Sequence, residues 1–531
     1  MIKKKIFFLA IFILVFSLYI NYFSGYVGIL PIDSFAFFDT GYLVLQGYHP
    51  FKDFWITTGF LVDYFQAFFF KAWGLGWGSY VLHAAFLNCI FALSLFVYFI
   101  KNNLNVYISS LYAISASILF YPTIGTPFAY HHSYFFSILS ILLLSLIIKK
   151  NSNLLWFFLP VSMLVSFLCM QTPAAYINLL ILLFIFTIFL RQKNISNIVY
   201  FVLGSLTSLL VFFLYFKFTQ VPLQSFIEQY ILFPLTIGSD RITNSSNAYI
   251  TLGSKFSFKS IFGDFKFIHI IFIVLFYSIF VKFKLRVNLK SDKTFEILIL
   301  ISIATFVFIF NQLVTANQIY IFSLIPLLAG FTNIGVNEYL KKKKYFNIFL
   351  IAVVLIATIK YHERFNVNRK FIDLENINLN KTVDGNKIDK KFNNLRWITK
   401  HHPNNVTEEI KNINKTIQIL REDKRTKMVI SHYQIFSVIL EENLNNPNRW
   451  YTSGGNSYPL ENHKYFIFYK KFINNKIKDK EIDVIYLVDS SGKGELKISN
   501  FKKYLHDICF MDEYIIKDVL SSHTIIKCTS K

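Results

Sequence analysis

The chain has 531 residues, 54% of them hydrophobic and 19% aromatic, with a formal net charge of +23. Its long apolar runs exclude an ordinary soluble domain, because about 20 consecutive apolar residues are what a helix needs to cross a bilayer. The positive charge does not point to nucleic acid. Much of the Lys and Arg sits in short clusters beside the apolar runs, where it sets orientation and meets anionic lipid. The expected fold class is a polytopic α-helical membrane protein.

The first segment, MIKKKIFFLAIFILVFSLYI, has a basic start and an apolar core with no small-residue cleavage site after it. It reads as a retained helix. Eleven apolar runs follow the spanning length rule, near residues 6–26, 80–100, 106–124, 132–149, 154–170, 174–190, 197–216, 267–283, 295–310, 319–336 and 345–360. Basic residues recur after every second run: Lys3–Lys5, Lys101, Lys149–Lys150, Arg191 with Lys193, Lys282 with Lys284 and Arg286, and Lys341–Lys344. If each run crosses once, all of them share one side, which the positive-inside rule assigns to the cytoplasm. The loops 27–79 and 217–266 and the tail 361–531 then face outward. Segment 55–77 is apolar but broken by Asp63, Lys71 and glycines, and reads as an interfacial helix rather than a span.

The tail is rich in Asn, Lys, Asp and Glu. Apolar stretches 428–435 and 483–489 read as buried strands and segments 406–422 and 462–475 as helices, which suggests a small extracytoplasmic α/β domain. A closing hairpin is expected around Ser521–Ser522. The four cysteines have no metal-ligand spacing. Cys89 and Cys169 lie in apolar runs, and Cys509 and Cys528 are either free or bridged in the tail.

Candidate chemistry collects in the outer segments. The stretch Pro31 to Asp53 carries Asp33, Asp39 and Asp53 directly after the first helix. Asp33 is either the N-cap of a short helix or a general base near the interface. Asp39 points away from it on helical spacing. Asp53 is a loop acid, a partner for Lys52 or another base, or an acceptor-binding group. Beyond this loop, one of His131 and His132 is expected to face a cavity and the other the headgroups, since neighbours on a helix do not share a face. Gln171 sits at the outer end of a helix, and Arg241 offers bidentate geometry for phosphate. Asn311–Gln312 and Asn317–Gln318 bracket an outer turn, where amides either cap helices or bind sugar hydroxyls. No nucleophile elbow, P-loop, zinc-ligand spacing or dinucleotide fingerprint is present.

The order Asp33, a helix ending LVLQG, then YHPFKDFWITTG, then a helix ending FKAWG resembles the first outer loop of the GT-C membrane glycosyltransferases. The likeness is to the polyprenyl-phosphate-sugar-dependent branch, which includes the protein O-mannosyltransferases and the aminoarabinose transferases of lipid A. It covers the first 180 residues or so by pattern and the rest by topology alone. The resemblance implies an inverting glycosyltransferase of the inner (plasma) membrane of a bacterium. Its donor would be a polyprenyl-phosphate-linked sugar and its acceptor an envelope glycolipid, glycan or protein. Asp33 would be the base, and Asp53, His131, His132, Gln171, Arg241 and Gln318 the substrate-binding set. Relatives often carry a second acid where this chain has Ser34, and a lysine near Gln171. The resemblance requires no cofactor and leaves a divalent cation open. The rival expectation is an envelope lipid or polysaccharide transporter or polymerase, for which charged residues deep in the helices would be expected.

Overall fold

The computed structural model describes residues 2–246, 251–284, 292–316, 320–341, 343–452, 455–505 and 508–528. Among them, ten helices are long and apolar enough to cross a membrane, from Lys3–Gly25 to Lys343–Ile372. Asn153–Cys169 is an eleventh apolar helix of 17 residues, at the short end of spanning length. These eleven coincide one for one with the apolar runs of the sequence. The chain is therefore a polytopic helical membrane protein. The helix Ile195–Thr219 is apolar all round and only 11% buried over its spanning window, as a helix facing lipid on most sides must be.

Segment 55–77 yields the helix Phe60–Trp73, 14 residues long and too short to span. Gly59 (φ +73°) opens it and Gly74 (φ +87°) ends it, in conformations that glycine adopts without strain. Its polar residues Asp63 and Gln66 are buried, which ties it to its neighbours rather than to headgroups alone.

The bundle has two chemically distinct ends. At one, Lys282 pairs with Asp292 at 2.6 Å, Arg191 pairs with Glu296, and Lys293 Nζ donates to the Lys149 carbonyl at 3.0 Å. At the other, the acid-bearing loop, the segment after Thr219 and the tail pack together. The basic clusters met here share one end, as their alternation along the chain predicts.

The tail begins with paired short strands β1 (Val383–Asp384) and β2 (Arg396–Trp397). Arg396 also bridges to Val27, just after the first helix. Four further strands, β3 (Lys427–Ser431), β4 (Val484–Val488), β5 (Cys509–Ile516) and β6 (Leu520–Ile526), form a sheet in the order β3-β4-β6-β5. β3 and β4 are parallel, and the other pairs antiparallel. Helices Val406–Glu422 and Phe466–Asp479 match the expected pair. The hairpin differs from expectation. Its turn lies at residues 517–519, where Asp518 takes φ +58°, a conformation aspartate tolerates better than most residues. Ser521 and Ser522 instead sit inside β6, opposite Leu487 and Tyr486. A disulfide joins Cys509 to Cys528.

One apolar core runs from the outer loop into the tail. Phe35 stacks on Trp397 at 5.8 Å and Phe38 on Phe392 at 5.5 Å. Trp55 N–H donates to the Pro447 carbonyl at 2.7 Å. The tail is thus seated on the loop by both packing and backbone hydrogen bonds.

Candidate functional site

Where the membrane helices, the outer loop and the tail meet, a cavity of about 830 Å³ opens. Asp33, Gln171 and Arg241 all line it, although they lie far apart in the chain. Most of the remaining wall is apolar, with Phe167, Met170, Leu235 and Val314 among its residues.

Asp33 is set by a single-turn helix, Pro31–Ser34, with proline at its first position. The fixed φ of proline suits that position. Asp33 does not cap the helix: Leu30 is the N-cap, and no side chain caps it. Ser34, buried, accepts the Leu30 N–H at 2.9 Å. Ser34 therefore fastens the turn that presents Asp33. Among the described residues no hydrogen bond reaches the Asp33 carboxylate. Burial raises its pKa from 3.8 to about 6. Lys400 lowers it and Asp373 raises it, and because these two pair at 2.7 Å their effects largely offset.

The other three carboxylates of this region have structural partners. Asp39 accepts the backbone N–H groups of Ser437 (3.2 Å) and Val438 (3.0 Å), which pins the tail helix Phe436–Leu440 to the loop. Asp53 accepts the His49 N–H at 2.7 Å, and its backbone carbonyl accepts from Lys476. It does not line the cavity, and Lys52 reaches Thr219 rather than Asp53. Asp63 accepts from Thr40 at 2.6 Å and is ion-paired with buried Arg449. Among the described residues, Asp33 is the one of the four that lines the cavity and shows no hydrogen bond to its carboxylate.

Arg241 lies on the helix Phe233–Ile242, which continues a π-helical turn, Ile227–Leu232. Ile231, Pro234, Gly238 and Arg241 all line the cavity, at the three- and four-residue spacing that puts side chains on one helix face. Arg241 forms no ion pair among the described residues, with Asp240 or any other acid, and its Nε is buried without a partner. Tyr130 shares side-chain hydrogen bonds with Arg241 and Thr315 and feels the charge of Asp33 as well. One phenol therefore sits within electrostatic reach of both charged groups of the cavity.

Gln171 lines the cavity, but its amide N–H groups are committed. They donate to the carbonyls of Thr57 (2.7 Å) and Tyr230 (2.6 Å), so Gln171 ties the outer loop to the segment carrying Arg241. His131 and His132 do not line the cavity. Both are fully buried: His131 Nε2 meets the Phe120 carbonyl at 3.2 Å, and His132 bonds Tyr121 and His83, each at 2.9 Å. They belong to a polar network between helices, because the helix Trp77–Lys101 brings His83 to them. Gln318 lies outside the described residues. Asn311, from the same outer turn, does line the cavity.

Sequence reasoning missed Trp450, Thr58 and Tyr130, which also line the cavity. No spacing links these positions. A second constellation lies in the tail sheet. Ser521 Oγ is 2.9 Å from His523 Nε2, and His523 Nδ1 is 2.8 Å from Asp512. Its serine sits in a strand paired on both sides, which uses the backbone N–H groups an oxyanion would need; we read this row as structural.

Comparison with protein-family models and with curated proteins finds no match. Among the described residues, no group of three or more His, Cys, Asp or Glu side chains is placed to hold a metal ion.

Proposed function

We propose that this protein is an inverting membrane glycosyltransferase of the GT-C type. It moves a sugar from a polyprenyl-phosphate donor to an envelope acceptor on the outer face of a bacterial inner membrane. The observation that carries the reading is the unpartnered Asp33 carboxylate in the same cavity as Arg241, which has no ion-pair partner among the described residues. The apolar majority of the wall suits a lipid-linked substrate, and about 830 Å³ is within the usual size of ligand pockets.

In this mechanism Asp33 accepts the proton of the acceptor hydroxyl. The freed oxygen attacks the anomeric carbon from the face opposite the phosphate. The new C–O bond forms as the anomeric C–O bond to phosphate breaks, and polyprenyl phosphate leaves with the electron pair. Arg241 takes the developing charge on the leaving phosphate, and the Tyr130 hydroxyl adds a hydrogen bond beside it. Fixed donors aimed at developing charge are the largest contribution such a site makes. A base with a pKa of about 6 is mostly ionised at neutral pH yet still basic enough to take a proton.

In orientation, the basic end is cytoplasmic and the cavity and tail are outside. The disulfide between Cys509 and Cys528 supports this, since such bonds persist in oxidising compartments. The test is transfer in proteoliposomes from a panel of polyprenyl-phosphate sugars to total envelope lipid. Asp33→Asn is expected to lower the rate by at least about 100-fold, the scale of general-base catalysis, with folding unchanged. Unaltered transfer by this variant removes Asp33 as base.

A further inference from the structure

Arg241 is the next to last residue of the helix Phe233–Ile242, so its place at the cavity wall depends on what holds that helix. The helix has ten residues, with Gly238 inside it. A helix this short is marginal by itself, and an interior glycine weakens it further. The π-helical turn before it is well anchored: Gln229 Nε2 donates to the Phe51 carbonyl at 3.0 Å, and the Tyr230 hydroxyl to the Phe167 carbonyl at 2.8 Å. Beyond Phe233 a different part of the chain takes over.

The tail reaches the helix through His463. Its Nε2 lies 2.8 Å from the Thr236 hydroxyl, and its ring meets the Phe233 ring edge-on at 5.1 Å. The neighbours fix the proton. His463 Nδ1 accepts the Tyr465 N–H at 3.2 Å, and the Thr236 hydroxyl donates to the Phe233 carbonyl at 2.6 Å. In the neutral ring the proton is therefore on Nε2, which donates to Thr236 Oγ1. Burial favours the neutral ring by lowering its pKa from 6.5, with Lys464 acting the same way and Asp240 against it. Thr236 faces the tail, while Pro234, Gly238 and Arg241 of the same helix line the cavity. A hold on one face of the helix thus sets the other.

We propose that His463 is a positioning residue for phosphate recognition. By holding Thr236, the tail sets the helix so that the Arg241 guanidinium meets the phosphate of the lipid-linked substrate. This rests on the glycosyl-transfer reading and deepens it. His463 does not line the cavity; it acts through Arg241. Seating of the tail and binding of phosphate are then coupled.

The full-length protein in detergent is titrated with farnesyl phosphate and with farnesol, which lacks the phosphate. Wild type is expected to prefer farnesyl phosphate, and Arg241→Gln to lose about 10-fold or more of that affinity, the worth of a hydrogen bond to a charged group. His463→Leu removes the donor. Thr236→Val removes the acceptor from the other side and leaves the tail unaltered. Each is expected to weaken farnesyl phosphate about 3- to 10-fold, the worth of one neutral hydrogen bond, with farnesol unchanged. His463→Gln keeps an N–H donor and is expected to restore most of the loss. In the Arg241→Gln background neither substitution lowers affinity further, as residues acting through one group are not additive. Unchanged farnesyl phosphate binding by both His463→Leu and Thr236→Val overturns the inference while the transfer reading stands. A loss that persists undiminished in the Arg241→Gln background, or that extends to farnesol, overturns it too, since a merely structural contact gives that result. Wild type that binds farnesyl phosphate no better than farnesol overturns the transfer reading and the inference with it. Melting temperatures measured alongside separate loss of affinity from unfolding.

Discussion

Four carboxylates lie between Pro31 and Asp63; Asp39 and Asp63 tie the loop to the tail, and Asp53 accepts a hydrogen bond within its own loop. What separates Asp33 is that no such bond reaches its carboxylate among the described residues, and this has a pH signature. The proposed base must be ionised, so kcat/KM is expected to fall as pH drops through about 6, with a slope of one proton. Asp33→Asn should abolish that limb together with the activity. Asp39 gives a different signature. Burial raises its pKa to about 7 despite two backbone N–H bonds. The folded chain therefore keeps a proton that the unfolded chain releases near 4, and stability contributed by this group falls as pH rises from about 4 to about 7. Melting of Asp39→Asn should show a shallower decline across that window than wild type. The loop as a carrier of chemistry was legible in sequence because acids are scarce among apolar runs. Which acid was free was not, since the partners of Asp39 and Asp63 stand about 400 residues away in the chain. His131 and His132 were misplaced for the same reason: their partner His83 sits on another helix.

At the scale of elements, the outer loop and the tail share one core, clamped by the buried pair Asp63–Arg449. Removing one member of such a pair strands a buried charge, which costs about 3–5 kcal/mol. Arg449→Met alone should therefore lower the melting temperature markedly and make the tail sensitive to protease. Asp63→Leu combined with Arg449→Met should recover much of that loss, since an apolar pair of similar volume leaves no buried charge. A double mutant no more stable than Arg449→Met would show that the pair is not the clamp. The eleven apolar helices were readable because spanning length and apolar content go together. The tail strands were readable because they are short, fully buried apolar runs. The hairpin turn was misread, because two serines suggested a turn while their burial in β6 depends on strand pairing that no local pattern encodes.

At the scale of the whole molecule, the basic residues that close the helix ends around Lys149, Arg191 and Lys282 lie at one end of the bundle, and the acid-bearing loop, the Arg241 helix and the sheet domain at the other. The cavity lies at that second junction, between apolar helices and a polar cap. A site there can take a lipid-borne substrate from the membrane side and a polar partner from the aqueous side, which is the demand that transfer from a polyprenyl phosphate makes. The most direct test is made in cells lacking this protein, complemented with wild type or with Asp33→Asn at equal abundance, with envelope glycolipids and glycans compared by mass spectrometry. The account predicts at least one sugar-bearing species that wild type restores and Asp33→Asn does not. Full restoration by Asp33→Asn, or an envelope unchanged by loss of the protein, would contradict it.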